Sequence, residues 1–152
     1  MLLTYQSLIR EILKKASELL TATGIAGDFD KVDYVAIFSK SEQDYESFLT
    51  AVKHDGLVLK VMENGTLFKL NIPLETNYGK VALVKICMVD PQQQRIGAVD
   101  YEVDNFMLFK KEYLSTGAVD DTDDANSEEL LTVSNNEVTA NFPANPLGKK
   151  FI

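Results

Sequence analysis

The chain has 152 residues, of which 45% are hydrophobic, and this size and composition suit one globular domain with a sizeable core. Its formal net charge of -8 argues against nucleic acid and anionic membrane surfaces as partners, because both repel an acidic protein. No apolar run approaches the roughly 20 residues that span a bilayer, and residues 1–6 lack the basic start of a signal peptide.

The first predicted element is an amphipathic helix over residues 4–22. Thr4 can cap its first turn, because the hydroxyl can accept a backbone N–H, and Gly24 marks its end. Three- and four-residue spacings place the apolar residues on one stripe, which comprises Tyr5, Leu8, Ile9, Ile12, Leu13, Ala16, Leu19 and Leu20. The pattern predicts a helix that buries one face.

A strand and a second helix follow. Residues 32–39 are rich in β-branched and aromatic residues, and alternation places Tyr34 on the face opposite residues 35 and 37. Ser41 and Asp44 resemble a capping box, which predicts a helix that begins there and ends at Gly56. The predicted buried stripe of this helix is Tyr45, Phe48, Leu49 and Val52.

Residues 57–70 show the strongest hairpin signal in the chain. Two apolar-rich runs flank Asn64 and Gly65, which suit a two-residue type I′ turn because both central residues must tolerate positive φ. Pro73 and a polar loop through Gly79 follow, and then a strand is predicted over residues 80–88. On that strand Leu83, Lys85 and Cys87 share one face, whereas Ala82, Val84 and Ile86 share the other.

The same order of elements then begins again. Residues 97–103 read as a strand with Asp100 and Glu102 on one face, and Asp104 or Asn105 can cap a helix that runs to about Leu114. An acidic loop is predicted over residues 117–129. A hairpin across Asn135-Asn136 follows, with strands at 130–134 and 137–142, and then a short last strand at 149–152.

The order predicts an α+β fold of two tandem βαβββ modules, with a curved, mostly antiparallel sheet and a preceding N-terminal helix. We expect a single domain over residues 1–152. Its parts are the helix and connector at 1–27, a first module at 28–90 and a second, shortened module at 97–152.

Two short stretches of sequence support this predicted order of elements. Asp33-Tyr34-Val35 opens the first strand, and residues 67–74 read Leu-Phe-Lys-Leu-Asn-Ile-Pro-Leu. Over roughly residues 28–115 the chain resembles the vicinal oxygen chelate superfamily, the glyoxalase and bleomycin-resistance fold, and within it the YecM-like branch. The resemblance implies a cup formed by the curved sheet, in which His and Glu side chains from the first and last strands of each module hold a metal.

Carried over by position, the metal ligands of that superfamily fall on Tyr34, Lys85 and Asp100, with a fourth near Phe151. A lysine ammonium has no free lone pair for a metal, and neutral tyrosine is a poor ligand, so only Asp100 and its neighbour Glu102 could coordinate. Strand alternation places Tyr34, Lys85, Asp100 and Glu102 opposite the helix-packing residues, as a candidate ligand cup. The alternative is that Lys85 forms a structural ion pair with Asp100 or Glu102.

The sequence supports no catalytic residue, cofactor-binding motif or resident metal. His54 and Cys87 are the only histidine and cysteine, and they lie in separate elements, which argues against a nucleophilic triad. A lone cysteine also excludes an internal disulfide and fits a reducing cytoplasm. Residues 120–124 lack the glycine and the distal glutamate of a calcium loop.

The leading prediction is therefore a non-catalytic or small-molecule-binding protein with a vicinal-oxygen-chelate-like fold that lacks the usual metal ligands. Two alternatives stay open. One is a metal-dependent lyase or dioxygenase of that superfamily whose ligands lie elsewhere. The other is an interaction protein without a ligand that forms a homodimer through sheet edges or the first helix.

Overall fold

A computed structural model of the protein describes residues 3–25, 31–124 and 127–151. In chain order the elements are α1 (Tyr5–Ala22), β1 (Val32–Phe38), α2 (Glu42–Asp55), β2 (Gly56–Met62), β3 (Gly65–Thr76), β4 (Gly79–Cys87), β5 (Gly97–Tyr101), α3 (Phe106–Leu114), β6 (Asp120–Asp123), β7 (Glu129–Ser134), β8 (Val138–Pro143) and a 3-10 helix, η1 (Leu147–Phe151). None of the helices in these ranges combines the length and apolarity that crossing a bilayer requires.

The eight strands form one sheet in the order β2-β3-β4-β1-β5-β8-β7-β6. Each half of this order is one βαβββ module, in which the first and fourth strands pair in parallel and the remaining pairs are antiparallel. The modules meet where β1 and β5 pair antiparallel, at the middle of the sheet. The predicted α+β fold, with two tandem modules after an N-terminal helix, is therefore confirmed.

Helix α1 matches its prediction closely. The Thr4 hydroxyl accepts the Ser7 backbone N–H at 3.1 Å, and all eight residues of the predicted stripe are buried. Gly24 has a φ of 77°, which suits the left-handed end of a helix. The stripe packs on the central strands of both modules, and at Gly97 an added Cβ would collide with the Ile12 side chain. This helix therefore supports the junction of the two modules.

The two faces of the sheet differ in what covers them. The face that packs against α1, α2 and α3 carries Val35, Ile37, Val84, Ile86, Val99, Val138, Ala140 and Phe142, all within the main hydrophobic core. The opposite face, which we call the open face, carries Tyr34 and Ala36 of β1, Lys85 of β4 and Asp100 of β5. The alternation predicted from the sequence is therefore correct.

The turn of the first hairpin lies one residue earlier than predicted. Met62 pairs with Gly65, so the loop residues are Glu63 and Asn64, and neither has the positive φ of a type I′ turn. Gly65 lies inside β3 opposite Cys87 of β4. A Cβ added to Gly65 would come within 2.9 Å of the Cys87 Cα, so glycine is needed for the close approach of two backbones rather than for a turn.

Two segments that the sequence indicated as loops are strands. Strand β3 continues through Pro73 to Thr76. Its pairing with β4 is interrupted between Lys69 and Leu74, so no ladder hydrogen bond requires the N–H that proline lacks. Strand β6 lies in the acidic segment at 117–129, where it pairs with β7 at the edge of the sheet. Its four residues are exposed, so aspartates can occupy an edge strand without being desolvated.

The predicted last strand at 149–152 is wrong. Residues Leu147–Phe151 form the 3-10 helix η1, and the fourth strand of the second module is β8. The reason is a contact between residues far apart in sequence: the carboxylate of Asp33 accepts the first two N–H groups of η1 and so holds its N-terminus. The second module is thus complete rather than shortened.

Candidate functional site

A row of polar side chains crosses the open face from β1 to β7. Tyr34 pairs with Asp100, Asp100 with Asn141, and Asn141 with Thr132, each across neighbouring strands. Thr132 Oγ1 donates to Asn141 Oδ1 at 2.9 Å, and Asn141 Nδ2 donates to Asp100 Oδ1 at 3.0 Å. The Tyr34 hydroxyl also donates to Asp100. The Asp100 carboxylate is thus held by two uncharged donors.

Lys85 lies on β4, where it pairs with Ala36 on the other side of Tyr34's strand. Only 8% of its surface is exposed. Its ammonium forms no ion pair and no hydrogen bond with the residues at 3–25, 31–124 and 127–151. The alternative prediction, in which Lys85 forms a structural ion pair with Asp100 or Glu102, is therefore wrong. Neither carboxylate pairs with Lys85, and Glu102 Oε1 lies 3.2 Å from Lys149 Nζ instead.

These side chains line a pocket of about 160 Å³. At about 30 Å³ per molecule in the liquid, this volume corresponds to about five waters. The wall of the pocket is formed by strands, by η1 and by the segment between β8 and η1. The lining residues are Tyr34, Met62, Lys85, Asp100, Asp124, Leu130, Asn141, Pro143, Asn145, Leu147 and Lys150. The pocket is small, and its lining combines polar and apolar side chains.

Burial sets the proton affinity of Asp100. Its residue is 7% exposed, and desolvation raises the pKa of its carboxyl to about 7. The hydrogen bond from Asn141 lowers this pKa, the charge of Asp33 raises it, and the hydrogen bond from Tyr34 and the charge of Lys85 lower it. Burial, followed by the charge of Asp100, also raises the pKa of Tyr34, which stays a neutral donor. Asp100 therefore titrates near neutral pH.

Helix η1 closes one side of the pocket through Leu147 and Lys150. Asp33 holds it in place, because Oδ2 accepts the Leu147 N–H at 2.7 Å and Oδ1 accepts the Gly148 N–H at 2.8 Å. Desolvation raises the pKa of Asp33, and the two backbone donors oppose that rise. Lys150 Nζ lies 3.4 Å from Glu128 Oε2, so the charge of Lys150 is partly balanced.

The structure brings together three of the four residues predicted for the cup. Tyr34, Lys85 and Asp100 line one pocket, whereas Glu102 lies beyond the end of β5 and does not contribute to the lining. The predicted fourth position near Phe151 falls on η1, and the corresponding strand residue in the pocket is Asn141. The alternation of residues 138–142 could have indicated Asn141, but only the pairing of β8 with β5 places it beside Asp100.

The donor set does not fit the metal that the superfamily resemblance implies. Within the described ranges there is no cluster of three or more His, Cys, Asp or Glu side chains that could hold a metal ion. The lining instead offers two ammonium groups, a neutral phenol and two amides, and of its two carboxylates Asp100 is already engaged by two donors. We therefore assign no residue here as a metal ligand.

The remaining sequence candidates lie apart from this pocket. His54 lies at the end of α2 with its ring Nδ1 3.0 Å from Asp55 Oδ1, and its side chain is 88% exposed. Cys87 is buried at the end of β4, where desolvation raises the pKa of its thiol and makes the nucleophilic thiolate scarce. The arrangement therefore provides no activated nucleophile at either residue.

No protein-family model matches the chain, and no curated protein is significantly similar to it. Among solved structures, one described as "Structural Genomics, Protein EC4020" is similar with a TM-score of 0.71 at 12% identity, over 91% of this chain and 85% of that chain. A hypothetical protein, BH1468 from Bacillus halodurans C-125, has a TM-score of 0.42 at 13% identity, over 74% of this chain and 92% of that chain. At such identities the first likeness supports the fold alone.

Proposed function

We propose that the protein binds a small anionic molecule in the pocket of the open face, without catalysing a reaction and without a resident metal. The proposal includes a vicinal-oxygen-chelate-like ancestry for the tandem βαβββ modules and a cytoplasmic location, which suits a lone reduced cysteine. The observation that carries it is Lys85, a lysine that is 8% exposed and has no ionic partner among the described residues.

The physical argument concerns desolvation. Removing an ammonium from bulk water is costly unless a counter-ion and hydrogen bonds replace the lost hydration. Lys85 keeps only the water of a pocket that holds about five molecules. An anion that enters this pocket would supply the missing counter-charge beside a largely buried ammonium, where the attraction is stronger than at the surface.

Two features of the pocket limit what this anion can be. The volume of about 160 Å³ suits a ligand of roughly five non-hydrogen atoms, if each takes about the space of one water. Planar carboxylate oxygens can accept from Lys85 and also from the side-chain amide of Asn145 at the wall. Glu102 does not oppose such a ligand, since it lies outside the lining and is paired with Lys149. We therefore expect small carboxylates to bind.

Calorimetric titration with sodium propionate tests the function directly. We expect wild type to bind and Lys85→Met to lose binding, because methionine keeps the length of the stem and removes the charge. Lys14→Met is the matched control, since Lys14 is exposed on α1 and the variant has the same net charge. Equal binding by wild type and Lys85→Met, or binding by neither, would remove the proposal.

Metal content separates this function from the metal-dependent alternative. We expect protein purified without chelator to contain no stoichiometric transition metal, because the pocket lacks a suitable donor set. Elemental analysis that finds about one zinc, iron, nickel or manganese per chain would favour the lyase or dioxygenase alternative.

A second candidate function is self-association through β2. This edge strand exposes Leu57, Val58 and Val61 by 65%, 50% and 75%, and long apolar edges favour pairing with another strand. The opposite edge, β6, consists of exposed residues including three aspartates, which would repel a second copy. If two copies pair through β2, Val61→Lys should convert a dimer to a monomer in light scattering, whereas Met107→Lys, at an exposed apolar residue of α3, should not.

A further inference from the structure

We propose that a carboxylate ligand enters this pocket together with one proton, which is taken up by Asp100 and lets that side chain donate a hydrogen bond to the ligand. The inference rests on the proposed function and specifies how the same site selects its anion. It starts from the position of a second buried charge beside the anion site.

Asp100 and Lys85 lie on opposite sides of β1 and line the same pocket of about 160 Å³. No ion pair joins them, and Asn141 and Tyr34, the donors to the Asp100 carboxylate, are uncharged. Its negative charge is thus stabilised by two uncharged donors and, without an ion pair, by the charge of Lys85, in a residue that is 7% exposed. A ligand anion beside Lys85 would add a second negative charge at close range.

Two carboxylates in one small, desolvated site cannot both stay ionised, so one of them takes up a proton. The proton goes to Asp100 for two reasons. Burial already raises the pKa of its carboxyl to about 7, whereas a simple aliphatic acid has the pKa of an ordinary carboxyl. The ligand carboxylate also lies beside the ammonium of Lys85, which favours its charged form.

The other charged and titratable groups around Asp100 do not replace it in this role. Tyr34 on β1 stays protonated, because burial raises the pKa of its phenol. Asp33, also on β1, accepts two backbone N–H groups of η1, and Lys150 of η1 pairs with Glu128. Asp124, from the segment after β6, accepts the Glu128 backbone N–H at 3.0 Å. Of the two carboxylates that line the pocket with Lys85, Asp100 is the more buried.

Proton uptake makes affinity depend on pH in a defined direction. Below about pH 7 the free protein already carries the proton on Asp100, and affinity is nearly constant. Above about pH 7 each bound ligand must draw one proton from solution, so affinity falls by about tenfold for each pH unit. Asp100→Asn mimics the protonated acid in shape and charge, and it should bind with an affinity that no longer depends on pH.

Calorimetry with sodium propionate at pH 8, in HEPES and in Tris, measures the proton count, because these buffers differ in ionisation enthalpy and neither is a small anion. We expect about one proton per propionate for wild type and for Glu102→Gln, the matched control at a carboxylate outside the pocket. We expect none for Asp100→Asn, and no binding of the uncharged isostere propionamide by wild type.

The outcomes separate the two proposals. Propionate binding without proton uptake, or uptake that persists in Asp100→Asn, would overturn the proton coupling and leave the anion site standing. No propionate binding at pH 6 or pH 8 would overturn both. If Asp100→Asn fails to fold, infrared difference spectra of wild type decide the matter, since propionate binding at pH 8 should produce the carbonyl band of a protonated carboxylic acid.

Discussion

Replacing Lys85 by methionine should stabilise the protein when no anion is present. The ammonium is 8% exposed and lacks an ionic partner in the described ranges, so folding removes much of its hydration without a matching gain. Methionine fills nearly the same space with an apolar chain. A residue that costs stability in the free protein and is favourable only when a ligand is bound is typical of a binding site.

The size of the effect follows from how much water remains around the ammonium. Replacing buried ionic groups by apolar residues of similar volume is neutral or stabilises by about 1–4 kcal/mol. The pocket beside Lys85 has about 160 Å³, so several waters still solvate the charge and the lower end of that range applies. We therefore expect a gain of about 1 kcal/mol, which corresponds to about 2–4 °C in Tm for a domain of this size.

The gain should depend on pH because of Asp100. At pH 5.5 Asp100 is protonated, since its pKa is about 7, and the loss of the Lys85 charge costs no attraction to it. At pH 8 Asp100 is ionised and Lys85 stabilises it, so the substitution loses that attraction and the gain shrinks. Urea unfolding of both proteins at the two pH values measures this difference.

Saturating propionate should reverse the order of stability. At 100 times its Kd, a ligand that binds only the native state stabilises wild type by about 2.7 kcal/mol, and the methionine variant should gain nothing. Lys14→Met should stay within about 0.5 kcal/mol of wild type throughout, as surface substitutions do. A Lys85→Met protein that is less stable than wild type at pH 5.5 would refute the reasoning, because the ammonium would then have a stabilising partner.

Three further perturbations test the fold and the pocket wall. Gly65→Val should destabilise by about 1–3 kcal/mol in urea unfolding, because the side chain would press on the backbone of β4, whereas Thr66→Val next to it should have little effect. Asp33→Asn should speed hydrogen exchange at the Leu147 and Gly148 amides, since it weakens the charged acceptor of both; unchanged exchange would mean that η1 is held otherwise. For Asp100, the folded pKa of about 7 exceeds the ordinary 3.8, so the folded state binds the proton more tightly. The unfolding free energy of wild type should therefore fall relative to Asp100→Asn as pH rises from about 4 to 7, and parallel pH profiles would contradict the buried carboxyl.

Local patterns in the sequence determined most of the elements and the direction of their side chains. The apolar stripe of α1 and the caps at Thr4, Ser41 and Asn105 depend on neighbours within one or two turns, and the structure contains each of them. The alternation of strand residues likewise placed Tyr34, Lys85 and Asp100 opposite the helices. These features are readable because helix and strand periodicity are properties of the chain itself.

The tertiary structure alone decided which residues meet and which segments become strands. Aspartates in β6 and a proline in β3 disfavour strands locally, yet pairing with β7 and the interrupted ladder beside β4 accommodate them. The position of Asn141 beside Asp100, the capture of η1 by Asp33 and the lack of a partner for Lys85 all depend on residues that are distant in sequence. The pocket could not be read from the sequence because its chemistry depends on strand register and desolvation, and both arise only when the two modules pack against each other.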